Sequence, residues 1–323
     1  MKYFVTGATG FIGNVLAKQL RAAGHEVHAS VRNPEKANDL AELGVKLFKG
    51  DVTDKESMRA AMQGVNGVYH VAGWYKIGIN DKSGGEKVNI QGTRNVLELM
   101  QELKILKGVY TSTCAVNSDT KGKVVDETYH FTGKHLSEYD RTKAVAHDIA
   151  NEFIAKGLPL VIVMPGLIYG PGDTSTLRDN IIGFLKGQLP MLPADAGNCW
   201  AHVEDIVQGH ILAMEKGKVG QAYIITGERQ TFAEAFKLAS QITGKRMPMI
   251  APARIFNVLS VLVRPFDKLL PPTYTSEGLR VVAGVTYMGD SSKAKRELGY
   301  NPRPFSEGWG KTLRHEMDLL DIK

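Results

Sequence analysis

Short apolar segments alternate with longer amphipathic ones through the first half of the chain. Runs of strand length fall at residues 2–6, 26–31, 45–48, 67–70, 108–111 and 160–164. Helical spacing of apolar positions covers residues 11–23, a stretch beginning near residue 34, and residues 54–62, 88–103 and 137–155. Strands and helices that alternate in this way predict a parallel sheet covered on both faces, which is the doubly wound α/β fold class.

The alternation loosens beyond residue 170. A loop rich in glycine and proline covers residues 165–172, further strands are predicted at 199–203 and 222–226 with a helix at 205–216, and residues 227–323 are mostly helical in pattern. We therefore predict a first domain over residues 1–172, to which residues 199–226 return, and a smaller, mostly helical C-terminal substrate-binding region made of residues 173–198 and 227–323.

The composition is that of an ordinary globular protein. The 323 residues are 43% hydrophobic and 23% charged, which excludes a disordered chain, a collagen-like repeat and a disulfide scaffold. A net charge of +6 is too dilute to indicate nucleic-acid binding, although it suits an anionic ligand. The two cysteines, Cys114 and Cys199, form no metal-ligand pattern and are expected to be reduced thiols.

No targeting or membrane-spanning segment is predicted. The chain opens directly on the first strand pattern, and its longest apolar stretch, residues 255–263, is too short to cross a bilayer. We therefore expect a cytoplasmic protein without a membrane partner. The apolar segment 249–264 is expected to pack as core rather than to touch a membrane or a greasy substrate.

The glycines between the first strand and the first helix have the Gly-xx-Gly-xx-Gly spacing of a dinucleotide-binding loop. Glycine allows the tight turn, the close approach of backbone to pyrophosphate and the close packing of helix on strand, while the helix N-terminus attracts phosphate. A plain glycine turn is the alternative, but the position at the first strand–helix junction favours a Rossmann-type cofactor site. The residues expected to bind the cofactor here are Gly7, Thr9, Gly10, Phe11, Ile12 and Gly13.

The end of the second strand indicates which dinucleotide is bound. An NAD site typically has an acidic residue there to bind the ribose 2′-hydroxyl, and none is present. Ser30, Arg32 and Lys36 are instead expected to surround a 2′-phosphate, since a guanidinium binds phosphate through two donors. The sequence therefore favours NADP, with NAD as the alternative if Arg32 is only a solvated loop charge.

Tyr139 and Lys143 are four residues apart, on one face of the predicted helix at 137–155. Such a pair is expected once by chance in a chain of this composition, so its place in the fold matters more than its spacing. The preceding strand ends in a row of hydroxyls that includes Thr111, Ser112 and Thr113, at the sheet edge where open α/β folds bind ligands.

With these residues in place, the chain resembles the extended branch of the short-chain dehydrogenase/reductase superfamily. The motifs that carry the resemblance are TGATGFIG at 6–13, GDVTD at 50–54, HVAG at 70–73, NIQGTRNVLE at 89–98, YxxxK at 139–143, PGLIYGPGD at 165–173 and HVEDIVQGHILAMEKGKVGQAYIITGE at 202–228. They follow the family's order over nearly the whole chain. Within the branch, the sequence is most similar to the dihydroflavonol-reductase and 3β-hydroxysteroid-dehydrogenase group, with hopanoid-associated sugar epimerases close by.

The resemblance implies a role for each matching residue. Tyr139 is the expected acid/base, Lys143 its helper and ribose ligand, and Thr113 the hydroxyl that holds the substrate oxygen, with Ser112 as the fallback. A nearby ammonium favours phenolate, so we expect the pKa of Tyr139 to lie below its ordinary value. The remaining cofactor contacts implied are Asp51 and Val52 at the adenine, Val71, Ala72 and Gly73 along the cofactor, Thr111, and Pro165, Gly166 and Ile168 at the nicotinamide. Asn89 is expected to be structural.

Other residues are read more plainly. His70 and His202 are expected to support strand ends rather than to bind metal, and Cys114 to be a small buried residue rather than a nucleophile. Residues 74–76, just after the fourth strand, form a candidate substrate-facing loop or an ordinary surface turn.

These observations favour an NADP-dependent oxidoreductase that acts on the carbonyl or secondary alcohol of a small organic molecule. One alternative is an NAD-dependent sugar-nucleotide epimerase, whose substrate diphosphate would be held by Arg178 and Arg280. Another is a non-catalytic NADP-sensing protein, which the intact Thr113, Tyr139 and Lys143 disfavour. A dehydratase is disfavoured because Cys114 and Ala115 replace an acidic pair. The expected partner is a small-molecule substrate, in a monomer or in a homodimer formed through residues 89–103 and 138–156.

Overall fold

Seven parallel strands form the main sheet of the computed structural model, which describes residues 1–322. Lys323, the last residue of the predicted substrate-binding region, lies outside the described residues. Including those outside the main sheet, the strands of the described residues are β1 (Lys2–Thr6), β2 (Glu26–Val31), β3 (Lys46–Lys49), β4 (Gly67–His70), β5 (Lys107–Thr111), β6 (Leu160–Pro165), β7 (Leu167–Tyr169), β8 (Met191–Pro193), β9 (Gly197–His202), β10 (Ala222–Ile225), β11 (Glu228–Thr231), β12 (Met249–Ala251) and β13 (Thr286–Tyr287).

Helices connect the strands and make up most of the C-terminal third. They are α1 (Phe11–Ala22), α2 (Asn38–Glu42), α3 (Lys55–Met62), α4 (Gly92–Glu102), α5 (Glu138–Ala155), α6 (Thr176–Leu185), α7 (Val203–Lys216), α8 (Phe232–Thr243), α9 (Ala253–Leu262), α10 (Ser276–Arg280), α11 (Ser292–Leu298) and α12 (Phe305–Leu319). A π-helical stretch, Gly85–Gln91, leads into α4, and short 3₁₀ turns cover Pro34–Lys36, Cys114–Asn117, Arg264–Phe266 and Pro272–Tyr274. Each strand predicted in the first half is present, with bounds shifted by at most one residue.

The strand order of the main sheet is β10-β6-β5-β4-β1-β2-β3, and every neighbouring pair is parallel. The predicted doubly wound α/β class is therefore confirmed. The chain reverses its direction of progress across the sheet between β1 and β4, and ligands bind at such a point, outside the carboxyl ends of the strands. Strand β10 joins this sheet beside β6, whereas β9 pairs with β7, β11 and β13 in a second sheet.

Helices cover both faces of the main sheet, because its strands are apolar on both sides. On one face, Leu16 and Leu20 of α1 and Ile206 of α7 pack against the strands. On the other face, the side chains that pack against the strands are Met58 of α3, Leu97 of α4, and Ile149 and Phe153 of α5. Cys114 and Cys199 are both buried, free thiols, as predicted.

The C-terminal region has an aromatic core of its own. Trp200 of β9 packs edge-on against Trp309 of α12, and Phe305 stacks on Trp309 with ring centroids 5.4 Å apart. Both indole N–H groups are satisfied, since Trp309 Nε1 donates to the Ala235 carbonyl and Trp200 Nε1 to the Gln230 carbonyl, each at 2.9 Å. This core attaches β9 and β11 to the last helices.

The apolar segment 249–264 forms β12 and α9. Phe256 and Ser260 of α9 are buried, but Val258, Val261 and Leu262 are exposed. The prediction that this segment packs as core is therefore wrong for its outer side, since α9 buries one face only. Within the described residues, every helix is too short or too polar to traverse a lipid bilayer.

Candidate active site

The predicted site residues lie after the carboxyl ends of six neighbouring strands. Gly7–Gly13 follows β1, Ser30–Lys36 covers the end of β2 and the turn after it, Asp51 and Val52 follow β3, Val71–Gly73 follows β4, Thr111–Thr113 ends β5, and Pro165–Ile168 ends β6. Because these six strands are adjacent and parallel, their ends line one edge of the main sheet. Helix α5 adds Tyr139 and Lys143 at the same edge.

The loop between β1 and α1 comes very close to the loop after β4. Gly7 has a φ of 71°, and a Cβ added there would lie 2.9 Å from backbone atoms of Ala72. A Cβ at Gly13 would lie 2.1 Å from the Gly7 carbonyl oxygen, so only glycine allows α1 to pack this tightly. Helix α1 begins without a side-chain cap, and Thr9 and Gly10 are exposed. The first turn therefore has free N–H groups suited to a pyrophosphate.

A buried group of hydrogen-bonded residues lies between the ends of β1 and β4. The Thr6 hydroxyl accepts the N–H groups of Val71 and Ala72 at 3.1 and 3.0 Å and lies 2.8 Å from His70 Nδ1. Burial lowers the pKa of His70 to about 3, so its ring is neutral. With both lone pairs of Thr6 occupied, its hydroxyl hydrogen goes to Nδ1, and His70 Nε2 carries the hydrogen toward Thr93, 3.1 Å away. His70 thus supports a strand end, as predicted.

The end of β2 presents two cations. The side chains of Arg32 and Lys36 are exposed and form no hydrogen bond or ion pair with any described residue. Ser30 is buried instead, and its hydroxyl has no partner; a Cβ at Gly50 would lie 2.6 Å from it. The structure therefore leaves Arg32 and Lys36 open to a ligand and places Ser30 beneath them.

The turn after β3 is held by Asp51 and Val52. Asp51 Oδ1 accepts both the N–H and the hydroxyl of Thr53, each at 2.9 Å. Val52 is buried, and its carbonyl accepts a hydrogen bond from Asn95 Nδ2 of α4 at 2.8 Å. The predicted adenine-binding residues therefore lie on the face of the sheet that carries α3–α5.

Lys143 is buried within hydrogen-bond distance of β5. Its Nζ donates to the Thr111 carbonyl at 2.7 Å and to the Tyr110 hydroxyl at 3.2 Å, and it lies 4.8 Å from the centroid of the Tyr110 ring. Burial lowers the pKa of Lys143 to about 7. An ammonium has three hydrogens, so two are used inside the protein and one is left for a ligand.

Tyr139 lies at the start of α5, where the Ser137 hydroxyl caps the helix by accepting the Asp140 N–H at 3.1 Å. Its ring meets the Tyr75 ring edge-on, with centroids 4.8 Å apart. Burial raises the pKa of Tyr139 well above its ordinary value, the neighbouring Tyr75 adds to this, and interaction with Thr113 opposes it. The expected lowering of this pKa is therefore wrong here, because burial of the phenol is the largest influence on it.

The three hydroxyls at the end of β5 have different partners. Thr111 Oγ1 lies 2.9 Å from His210 Nε2, on the side of the sheet that carries α7. Ser112 Oγ lies 2.8 Å from His147 Nδ1 of α5. Thr113 is the hydroxyl that interacts with Tyr139, and it also accepts the Ala115 N–H at 3.2 Å. Of the two predicted substrate-binding hydroxyls, Thr113 therefore lies near the Tyr139 phenol, whereas Ser112 contacts His147.

The consecutive strands β6 and β7 carry the predicted nicotinamide contacts, β6 in the main sheet and β7 paired with β9. A Cβ at Gly166 would lie 2.3 Å from the Cys199 carbonyl oxygen, so glycine is needed where the chain crosses β9. Ile168 of β7 is half-buried and pairs with Ala201 of β9. At the end of β9, His202 Nδ1 accepts the Glu204 N–H at the start of α7, as expected of a supporting residue.

Three residues outside the predicted catalytic and cofactor-binding set hold it together. Asn89, expected to be structural, donates to the Trp74 carbonyl and to Thr142 Oγ1 and accepts the Trp74 N–H, so it ties the loop after β4 to α5. Asp140, next to Tyr139, is buried, accepts the Tyr287 hydroxyl at 3.1 Å, and has its pKa raised to about 6 by burial. Glu277 of α10 accepts the N–H groups of Gly78 and Glu138. Sequence reasoning missed Asp140 and Glu277 because their partners are distant in the chain.

Comparison with known proteins gives the family. A model of the NAD dependent epimerase/dehydratase family matches residues 3–226, which is most of the chain. The chain belongs to this family. The resemblance to extended short-chain dehydrogenases/reductases is thereby confirmed, and the protein is an NAD(P)-dependent enzyme of that type.

Individual relatives of this family cover nearly the whole chain. The chain is 32% identical over 314 residues to the sterol demethylase protein B of Methylococcus capsulatus, covering 94% of each chain. It is 31% identical to a dihydroflavonol-4-reductase-like protein of Synechocystis, covering 92% of this chain and 89% of the relative. Among solved structures, the crystal structure of gox2253 is similar with a TM-score of 0.85, 31% identity and 99% coverage of both chains.

Proposed function

We propose that this family member is an NADP(H)-dependent reductase that converts a carbonyl group of a small organic molecule to a secondary alcohol. The observation that carries the proposal is the meeting of Thr113, Tyr139 and Lys143 at the sheet edge that holds the glycine loop. The similarity to a dihydroflavonol-4-reductase-like protein supports a reduction. The roles of these residues, and those of the cofactor contacts, are predictions that the experiments below test.

The residues at the sheet edge fit a nicotinamide dinucleotide phosphate. The space that a Cβ at Gly7 or Gly13 would fill stays open, so backbone can approach a pyrophosphate closely. The unpaired cations Arg32 and Lys36 stand where a 2′-phosphate would be bound, and no acidic residue ends β2 to favour a 2′-hydroxyl. When bound, the nicotinamide would supply the hydride.

The protein's own residues would manage the proton and the carbonyl oxygen. Because burial raises the pKa of Tyr139, its Oη stays protonated across the neutral range and can give its proton to that oxygen. Thr113 Oγ1 would donate a hydrogen bond to the same oxygen and polarise the carbonyl. Lys143 would use its remaining hydrogen to orient a ribose hydroxyl, while Thr111 and Tyr110 fix its position.

Tyr139→Phe tests the acid role. The variant should lower kcat by about a hundredfold or more, since a positioned general acid contributes at least that much, and should leave the Kd for NADPH nearly unchanged. The measurements are NADPH oxidation with a panel of ketones and aldehydes, and cofactor binding by nucleotide fluorescence. Tyr274→Phe, which removes the hydroxyl of a tyrosine 42% exposed and away from these residues, is the matched control. Full activity of Tyr139→Phe would refute the assignment.

Arg32→Ser tests the choice of cofactor. Loss of a guanidinium that binds a 2′-phosphate should weaken NADPH binding by about tenfold or more and leave NADH binding little changed. Arg246→Ser, which removes an exposed arginine after α8, is the control and should change neither Kd. Equal loss for both nucleotides, or for neither, would exclude Arg32 as the selecting residue.

The epimerase alternative is disfavoured by one of the two arginines predicted for a substrate diphosphate. Arg178 donates to the buried carboxylate of Glu316 at 2.9 Å, and Arg280 donates to the Leu136 carbonyl at 3.0 Å. The Arg178 guanidinium is therefore paired with a buried carboxylate, whereas Arg280 is exposed and keeps some of its donors free. Denaturing the purified protein and assaying released nucleotide separates the functions: stoichiometric NAD would favour an epimerase, whereas NADP(H), or an empty site that binds NADPH reversibly, would favour the reductase.

A further inference from the structure

Helix α9 and the turn after it present a continuous row of exposed apolar side chains. This apolar ridge consists of Ile255, Val258, Val261, Leu262, Phe266 and Leu269. Several of these side chains are mostly exposed: Val261 is 71% exposed, Leu262 63% and Leu269 83%. The opposite side of α9 is also apolar and packs through Phe256 into a small core with α10. A helix that is apolar on both faces, with one face uncovered, indicates a missing apolar partner.

Positive charge surrounds the apolar ridge. Arg254, Arg264 and Lys268 are exposed, and none forms an ion pair with a described residue. Asp267 is the acidic residue of this segment, and both its oxygens are occupied by Ser276, which donates its N–H at 2.7 Å and its hydroxyl at 2.5 Å. The ridge is therefore apolar at its centre and cationic at its margin.

A cavity of about 500 Å³ opens beside the ridge, and its wall also combines apolar and positively charged side chains. Val261 and Arg264 of the ridge segment form one wall, while Lys82, Lys134 and Arg280 add further positive charge. The carboxylates of Glu277 and Asp267 also line the cavity, so two negative charges stand against the four positive charges of its wall. Glu277 pairs with Lys82 at 2.9 Å, and Asp267 accepts hydrogen bonds from Ser276. The net charge of the cavity wall suits anionic groups.

We propose that the apolar ridge docks this protein on an anionic lipid bilayer. Apolar side chains with cations at their margin match the acyl and headgroup layers of such a membrane, and the unpaired arginines and lysine supply the charge complementarity. The ridge enters the acyl boundary, and Arg254, Arg264 and Lys268 contact lipid phosphates. This surface association needs no membrane-spanning helix, and it is independent of the proposed reductase activity.

Vesicle binding tests the proposal with the full-length protein. The wild type should co-sediment with vesicles made of equal parts phosphatidylglycerol and phosphatidylcholine, bind phosphatidylcholine alone much less, and be released partly by high salt. Leu262→Asp should reduce binding by about tenfold or more, since it replaces an inserted apolar group by a charge of the lipid's own sign. The matched control is Leu106→Asp, at a leucine 70% exposed just before β5, which should bind as the wild type does.

A second variant separates the charge from the apolar contribution. Replacing Arg254, Arg264 and Lys268 together by Gln should abolish the preference for anionic vesicles while thermal unfolding shows the protein still folded. Absence of wild-type binding, or equal binding by Leu262→Asp, would overturn the proposal. So would a wild-type dimer that Leu262→Asp converts to a monomer without any vesicle binding, because the ridge would then be covered by a second copy of the chain.

Discussion

Lys143 is held at the carboxyl edge of the main sheet by neutral groups alone. The Thr111 carbonyl, the Tyr110 hydroxyl and the Tyr110 ring replace part of its hydration, and no described carboxylate pairs with it. These partners do not compensate fully for burial, so the pKa of Lys143 falls to about 7. Keeping an ammonium at this position therefore costs folding stability, as is common for groups retained for catalysis.

Lys143→Met tests this cost. The pKa of Lys143 is lowered from 10.5 to about 7 on folding, so the destabilisation is fully present below pH 7 and fades as the pH rises toward 10.5. We expect the variant to be more stable than the wild type below pH 7, by on the order of 1 kcal/mol after the lost hydrogen bonds, and to lose this advantage near pH 10.5. Urea unfolding at both pH values measures it. A variant that is less stable below pH 7 would contradict the argument.

Tyr139 shows how the same burial acts on an acid. A phenol becomes charged when it loses its proton, so burial raises its pKa, whereas burial lowers that of an amine. Both shifts favour the neutral form. The result is a protonated donor at the place where a carbonyl oxygen is expected to bind, which suits reduction better than alcohol oxidation.

Among the elements, α1 depends most directly on a single glycine. Its first turn packs on the Gly7 carbonyl, and a Cβ at Gly13 would be 2.1 Å from that oxygen. Backbone atoms on both sides cannot rotate away as a flexible side chain can. The position of α1, and with it the free N–H groups of the phosphate loop, is therefore set by this contact.

Gly13→Ala should displace α1 from the loop. We expect a loss of about 2 kcal/mol or more in the free energy of unfolding, and weaker binding of every dinucleotide, because overpacking forces backbone shifts. Gly183→Ala is the matched control, since it also lies inside a helix and its nearest neighbour would be 3.7 Å from the new Cβ. That control should be neutral or stabilise by about 0.5–1 kcal/mol. Equal effects of the two substitutions on cofactor affinity would refute the role of Gly13.

At the scale of the whole molecule, Glu277 connects the C-terminal region to helix α5, which carries Tyr139. Its carboxylate accepts the Glu138 N–H at 3.0 Å, at the first residue of α5, and the Gly78 N–H at 3.1 Å, in the loop after β4. Lys82 completes the cluster. One buried side chain thus joins three segments around Tyr139.

Glu277→Gln should loosen this junction. An amide keeps only one accepting oxygen, so one N–H group loses its partner, and we expect a loss of about 2 kcal/mol in the free energy of unfolding together with a lower kcat. Glu307→Gln is the control, because it breaks the exposed ion pair with Lys311 and should change stability little. Unfolding curves and steady-state rates measure both effects; a Glu277→Gln protein that unfolds and turns over like the control would argue against the junction.

The main sheet was predictable from local pattern for a physical reason. Strands buried on both faces must be apolar throughout, and helices between them must be apolar on one side, so the residue sequence contains both periods. The glycine loop was predictable too, because its glycine spacing and the Gly13–Gly7 contact are local, although the approach of Gly7 to Ala72 is not. The bounds of α4 were not, since the π-helical stretch Gly85–Gln91 is held by Asn89 contacts to Trp74 and Thr142.

The sequence by itself determined the fold class, the family and the set of residues that lie at the carboxyl edge of the sheet. Only the tertiary structure shows that the adjacent hydroxyls of Thr113 and Ser112 have different partners, because Ser112 contacts His147. Only the tertiary structure shows that the pKa of Tyr139 is raised rather than lowered, and that the outer face of α9 is exposed. Periodicity records which residues are apolar, whereas burial and pairing depend on segments that are far apart in the chain and meet only on folding.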